Sequence, residues 1–316
     1  MNIYIGGLQC ASGQNKDFPV RNKLQSVVEY TQACLSNSCQ IVMDSISFVL
    51  KNKDRSCPLF FALPEFFWNI KWSDVYDINE ISQLSDFYLD NLSDRVGLIL
   101  RGMPADVFGK VILLAGTVAT LIKTKEGLYE PINYCLIVDN FSGVGGAPST
   151  VSALPKRNTS SIDFGKPDVV DVEYYIANLS DSLHIPILNK SMVASEHNSA
   201  EGYGEKLNNR LLDGCPFSID ICLDYERLNF DEQKKSLMNA NTKIDFLLAC
   251  GMPINENHRY PDSVQYAVRN DGASDGKIEF FSVSKNRIFQ KITPEILTPP
   301  VNLGKSALVM AKLDIR

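Results

Sequence analysis

The segment Leu59-Phe60-Phe61-Ala62-Leu63 carries no polar side chain at either parity, and Pro64 stops it. A strand with one face in water alternates apolar and polar residues. An unbroken apolar run of this length therefore fits a strand covered on both faces. Such a strand needs a layer of structure above it and another below. A second apolar stretch, residues 111–122, is interrupted by Gly116, Thr117 and Thr120. It falls well short of the roughly 20 residues that a membrane-spanning helix requires, so it reads as a buried strand.

Periodicity places the other elements around these two. Residues 3–8 form a first strand. The apolar positions Leu24, Val27, Val28, Leu35, Val42, Ile46 and Val49 predict helix over residues 20–50, with a possible break at Ser36-Asn37-Ser38 that would make two helices. Ile81, Leu84, Tyr88 and Leu92 give residues 81–92 one apolar face of helical period. Residues 111–122 and 132–138 flank Glu126-Gly127 and read as an antiparallel hairpin, followed by a polar stretch. Further on, Phe217, Ile219 and Ile221 alternate with Ser218, Asp220 and Cys222, the pattern of a strand with one apolar face. A helix over 230–239 and strands over 246–250, 278–283 and 307–313 complete the reading. Crossovers mixed with hairpins predict an α/β protein, with a mixed sheet or a two-sheet sandwich flanked by helices. No repeat or Pro/Ser-rich linker divides the chain, so residues 1–316 are expected to form a single domain.

Composition narrows the function classes. The chain has 31 Lys+Arg against 37 Asp+Glu, a net charge of −6. A nucleic-acid partner is not expected, because binding through counterion release needs a basic face. The first residues show no basic segment followed by a sustained apolar one, and no membrane partner is expected. The eight cysteines are irregularly spaced. They read as reduced thiols of a cytoplasmic protein, in which Asn158-Thr159-Ser160 has no glycosylation role. His184, His197 and His258 show no metal-ligand spacing and no Cys-x-x-Cys occurs, so a zinc site is not expected. Gly143-Val144-Gly145-Gly146 reads as a glycine-rich turn, because Ala147-Pro148-Ser149 does not open the helix that a phosphate loop requires.

Three residues could carry chemistry. Glu65 follows the buried-looking strand and Pro64, and precedes Phe66-Phe67-Trp68. Apolar company disfavours a charged carboxylate and raises its pKa toward the range of a general base. Cys222 ends its strand in phase with Ser218 and Asp220, so alternation does not require it in the core, and a thiolate there would be a nucleophile. Lys156 lies in Ala153-Leu154-Pro155-Lys156-Arg157. Taken singly, each has an ordinary structural explanation: an acid in water, a buried thiol, a solvated lysine.

Together they resemble the nitrilase superfamily of carbon-nitrogen hydrolases. The resemblance rests on Leu63-Pro64-Glu65-Phe66-Phe67, on Pro155-Lys156 after a hairpin, and on Ile219-Asp220-Ile221-Cys222-Leu223-Asp224 at a later strand end. Supporting marks are Leu8-Gln9, Leu114-Ala115-Gly116-Thr117, Ile132-Asn133-Tyr134, Asp139 and a final strand over 308–315. The resemblance implies a four-layer α-β-β-α sandwich that assembles as a homodimer or a larger homo-oligomer. It further implies cysteine-dependent attack on a small amide, or less often a nitrile or N-carbamoyl compound, through a thioester. In this scheme Glu65 is the base, Cys222 the nucleophile and Lys156 the oxyanion partner, and no metal or organic cofactor takes part.

The chain departs from the family pattern at two places. The second acid that often follows the lysine is here Asp163, one methylene shorter than glutamate, with Glu173 as the alternative. The arginine often found four residues after the cysteine is replaced by Glu226, with Arg227 beside it. Trp68, Tyr225, Glu226 and Tyr203 are candidates for a substrate pocket. Three other functions stay open: an acyltransferase on the same scaffold, a Cys-His hydrolase using His197 or His258, and an inactive interaction protein that retains the fold.

Overall fold

The computed structural model describes residues 1–16, 18–158, 160–164, 166–180, 183–192, 209–228, 241–285, 287–299 and 303–316. In chain order the elements are β1 (Asn2–Gln9), α1 (Val27–Asn52), β2 (Leu59–Ala62), α2 (Ile78–Ile99), α3 (Ala105–Phe108), β3 (Val111–Lys123), β4 (Tyr129–Asp139), β5 (Ser152–Pro155), β6 (Lys166–Val170), β7 (Tyr174–Ser180) and β8 (Leu183–Leu188). They continue with β9 (Phe217–Ile221), α4 (Leu223–Leu228), β10 (Ile244–Ala249), β11 (Tyr266–Asp271), β12 (Lys277–Ser284), β13 (Arg287–Ile292), β14 (Glu295–Leu297) and β15 (Ala307–Asp314).

Helix α1 starts where the Ser26 side chain accepts a hydrogen bond from the Glu29 amide at 3.1 Å, the usual device for an orphan amine-end donor. Its buried stripe, including Val27, Thr31, Leu35, Val42, Ile46 and Val49, recurs every three to four residues. The helix passes unbroken through Ser36-Asn37-Ser38, where a break was expected. Ser36 Oγ donates back to the Gln32 carbonyl at 2.8 Å, and Ser38 lies on the buried stripe, so neither serine diverts the backbone. Its most apolar window has a mean hydropathy of 1.3, enough by length and composition alone to cross a membrane. That apolar character is used here to pack against α2 and the first sheet.

The first sheet runs β14-β15-β1-β2-β3-β4-β8-β7-β6, with β5 paired to β4. Strands β1, β2 and β3 are parallel neighbours, joined by crossovers through α1 and α2. Alternate residues of β2 point to opposite sides. Leu59 and Phe61 join the core under α1 and α2, whereas Phe60 and Ala62 join the core between the sheets. The second sheet runs β13-β12-β11-β10-β9, with β9, β10 and β11 parallel. Its inner face supplies Phe217, Ile219, Phe246, Leu248, Val268 and Phe280 to that inter-sheet core. Phe60 sits with its ring 5.2 Å from Phe217 and 5.3 Å from Phe246. The apolar run at 59–63 is thus covered by helices on one side and by a second sheet on the other. The protein is mixed α/β, with two stacked sheets and few helices.

Three expectations change. The polar stretch after β4 contains β5 to β8, of which β7 and β8 are short and bury only every second residue. Strand β9 is buried on both faces, because Ser218 and Asp220 face a polar interior in which Ser218 Oγ donates to Asp245 Oδ1 at 2.6 Å. No strand was expected over residues 266–271, where β11 runs. The charge on Arg269 is matched within the sheet by Asp271 at 2.5 Å and Glu279 at 2.8 Å. Over the outer face of the second sheet the described residues include one helix, α4. The helix expected over 230–239 lies outside the described residues.

Both parallel groups of strands point their carboxyl ends to the same region, the place where open α/β sheets carry ligands. Gly116 shapes this end of β3. It has φ +65, and a Cβ there would lie 2.4 Å from the Pro64 carbonyl oxygen, where the pairing of β3 with β4 shifts between Leu114 and Thr117. We therefore expect Gly116→Ala to lower the stability of the fold by about 1–3 kcal/mol through backbone strain. A urea midpoint equal to that of the wild type would contradict this account of the bulge.

Candidate active site

Glu65 leaves the end of β2 on a short, tightly held turn. Its backbone carbonyl accepts a hydrogen bond from Ser12 Oγ, and the next amide, Phe66 N, donates to Thr117 Oγ1 at 3.0 Å. Phe66 has φ 59, a left-handed conformation that a bulky side chain adopts only when its surroundings hold it there. The Glu65 side chain is fully buried.

Lys156 follows β5 and is fixed through its backbone, since its amide donates to the Asn133 carbonyl at 2.7 Å. Its ammonium donates to Glu65 Oε1 at 2.9 Å and to both Asp163 oxygens at 2.8 and 2.9 Å. Asn133 Nδ2 bridges the two acids, 3.0 Å from Glu65 Oε1 and 3.4 Å from Asp163 Oδ2. Asp163 stands in the 3₁₀ turn Ser161–Phe164, which the Trp72 indole holds through the Asp163 carbonyl at 3.4 Å.

Cys222 is the first residue beyond β9, with φ 47, and turns directly into α4. Its amide donates to the Leu248 carbonyl at 2.9 Å, and its carbonyl accepts from Tyr225 N at 3.0 Å. This left-handed turn between strand and helix sets the thiol apart from both elements, and Cys222 keeps partial exposure. Cys222 lies near enough to the Glu65 carboxylate to favour its charged form. Among the described residues Glu65 Oε2 has no hydrogen-bond partner.

The charges follow from burial. Loss of water pushes the Glu65 carboxyl up to about 7, against the pull of Lys156 and with a further push from Asp163. Burial also works against the Lys156 ammonium, but Asp163 and Glu65 more than offset it and hold its pKa well above the ordinary lysine value. The Cys222 thiol is raised by burial and by Glu65, with Lys156 opposing. At rest the site is therefore a protonated thiol beside a carboxylate that can take a proton near neutral pH, next to a permanent cation.

The remaining sequence candidates divide. Asp163 reaches the lysine, whereas Glu173 is exposed. Trp68 differs from the expected pocket wall: it is wholly buried, its indole donating to the Ala115 carbonyl at 2.5 Å. Tyr225 also departs from that role, stacking on His258 at 4.4 Å within the cluster over the second sheet. Glu226 is exposed on α4. His258 is packed between Tyr225 and Tyr260, and burial lowers its pKa to about 4. His197 and Tyr203 lie outside the described residues.

Sequence reasoning gave no role to Asn133, Ser12 or Cys250. Asn133 was detectable as a polar residue inside an apolar strand. Cys250 follows β10 and senses the charges of Glu65 and Asp163. Its position depends on strand pairing, which local sequence does not reveal. A cavity of about 520 Å³ lies close by, lined among others by Cys10, Lys16, Phe18, Phe67 and Lys71; Glu65, Lys156 and Cys222 are not part of its wall.

No family model matches this chain, and no curated protein matches it. Among solved structures it is similar to one described as an N-terminal amidase, at a TM-score of 0.34 and 12% identity. That match covers 83% of this chain and 50% of the other, so the chain spans about half the length of that structure. At this level the likeness carries no argument about the site, whose reading rests on its own geometry.

The raised carboxyl of Glu65 has a sign that can be tested. A folded-state pKa of about 7 against an ordinary 4.5 means that the folded chain holds this proton more tightly than the unfolded chain. Its contribution to stability is complete below pH 4.5 and is lost as pH rises through about 7. Glu65→Gln cannot ionise and should flatten the Tm profile over this interval. A variant whose Tm falls between pH 5 and 8 as steeply as that of the wild type would refute the shift.

Proposed function

We propose that the protein is a cysteine-dependent hydrolase of non-peptide carbon-nitrogen bonds, acting on a small amide, with nitrile and N-carbamoyl compounds as further substrate classes. The observation that carries this reading is the Lys156 ammonium held 2.9 Å from Glu65 Oε1, with the Cys222 thiol acting on the same carboxylate. Glu65 and Lys156 follow strands of the first sheet and Cys222 a strand of the second, and in this reading they serve as base, cation and nucleophile. The family resemblance of the motifs around these residues supports the same assignment. We further propose the four-layer sandwich that the resemblance implies, with a second helical layer over the outer face of the second sheet.

In this mechanism Glu65 takes the thiol proton as Cys222 Sγ adds to the carbonyl carbon. Lys156 donates to the oxygen as negative charge develops there, an interaction stronger in the transition state than in the ground state. The carbon-nitrogen bond breaks, and the departing amine or ammonia takes its proton back from Glu65. Water then adds to the thioester with Glu65 again accepting a proton, and the acid product leaves as the thiol is restored. Because Cys222 is not a thiolate at rest, its nucleophilicity depends on the carboxylate, and Glu65 ionising near pH 7 suits that task.

A panel of small amides, nitriles and N-carbamoyl compounds, read by ammonia release and by intact mass after acid quench, tests the reading. We expect turnover together with an acyl adduct on the peptide that contains Cys222. Cys222→Ala should remove both while retaining the circular dichroism of the wild type. Glu65→Gln should lower kcat/KM by roughly 10²-fold or more, as general-base catalysis usually contributes. Lys156→Ala should suppress the adduct, because one lost oxyanion donor costs about 2.7–4 kcal/mol in comparable sites. Wild-type turnover in Cys222→Ala, or no turnover and no adduct across the panel, would overturn the proposal.

A further inference from the structure

The site is assembled from two sheets. Lys156 leaves β5 of the first sheet and Cys222 leaves β9 of the second. Glu65 and Asp163 pin the ammonium from the first-sheet side, but neither sets where the Cys222 turn lies relative to it. Asp224, two residues past Cys222, spans that gap. Its Oδ2 accepts from the Arg157 amide at 2.9 Å, and its Oδ1 accepts from the Asn158 amide at 2.7 Å and from Asn158 Nδ2 at 2.9 Å. The Asp224 side chain is buried, so these charge-assisted bonds are shielded from water. Asp220 reinforces the same link more weakly, at 3.8 Å from Arg157 Nη1.

We propose that Asp224 is a positioning residue, which fixes the Lys156 ammonium relative to Cys222 by gripping the two backbone amides that follow the lysine. It acts through residues 157 and 158 and touches no substrate. The proposal deepens the hydrolase reading and rests on it for its consequence in catalysis. The grip is specific to a carboxylate. An asparagine would keep one acceptor and turn its amide donors toward an N–H that already donates, so half of the grip would be lost.

Two measurements on the full chain separate this role from a merely structural one. The first is the pH profile of Cys222 alkylation by iodoacetamide, followed by peptide mass spectrometry, which requires no turnover. Thiol reactivity follows the Glu65 carboxylate, whose pKa the Lys156 charge lowers, so a loosened lysine should move the alkylation midpoint of Asp224→Asn upward by roughly half a pH unit or more. The second is kcat per alkylatable Cys222 on any substrate the wild type accepts. It should fall at least about tenfold with KM changed by less than about threefold, the pattern of a misplaced transition-state contact.

Asp224→Glu should recover part of both effects, and Asn158→Ala, which removes one donor, should show a smaller shift in the same direction. A purely structural role would lower Tm and the number of alkylatable sites while leaving the midpoint and kcat per site unchanged, and that result overturns the proposal. Should Asp224→Asn fail to fold, an unshifted midpoint in Asn158→Ala overturns it equally. A wild type that turns over no substrate defeats the hydrolase reading, whereas the alkylation midpoint still decides the positioning role.

Discussion

A lysine ammonium removed from water has to be matched by anions, and at Lys156 that requirement organises the site end of the molecule. The residue is 1% exposed, and its ammonium is held by Glu65 and Asp163. Taking such an ion out of water costs several kcal/mol even after relaxation, and deleting one partner of a buried pair typically costs about 3–5 kcal/mol. The end of β2, the end of β5 and the turn Ser161–Phe164 must therefore converge on one point. Asn133 on β4 supplies the donor that keeps the two carboxylates compatible. The same arrangement would prepare the proposed chemistry. With two acids and one ammonium, the anions are in excess, and burial raises the proton affinity of Glu65.

The two stacked sheets supply the rigidity that this costly arrangement needs. Phe66 and Cys222 both hold left-handed backbone conformations, each worth about 1–3 kcal/mol of local strain. Neither would persist on a mobile loop. Each is tied by backbone hydrogen bonds to a neighbouring strand or loop, Phe66 through Gly13 and Asn69, and Cys222 through Leu248 and Tyr225. Beneath them the ring cluster of Phe60, Phe217 and Phe246 locks the sheets face to face. Gly116 lets the third strand come close enough to the Pro64 carbonyl for Glu65 to enter the site.

How much of this was legible locally differs from residue to residue. The unbroken run at 59–63 called for cover on both faces, because an apolar strand cannot leave either side in water, and the fold supplies helices on one side and a sheet on the other. The long α1 and the β3–β4 hairpin were readable from period and from the turn at Gly127. Strands β7 and β8 were not, since each is short and buries only alternate residues, a signal too weak to stand out in a polar stretch. Strand β11 was hidden for a different reason: Arg269 and Asp271 look like a solvated turn until Glu279 from the neighbouring strand is known to face them.

The sequence by itself determined which segments would be buried, where the strands would stop, and which few residue types at those stops were chemically capable of acting together. Proline, glycine and apolar period act over a handful of residues, so this information is local. Only the tertiary structure decided that Asp163 and not Glu173 reaches Lys156, that Asn133 bridges the two acids, and that Trp68 and Tyr225 are buried in separate hydrophobic clusters. It also decided that Asp224 crosses from one half of the site to the other. These outcomes depend on hydrogen bonds and ion pairs between strands far apart in the chain. Their strength comes from exclusion of water, which exists only once the sheets have closed.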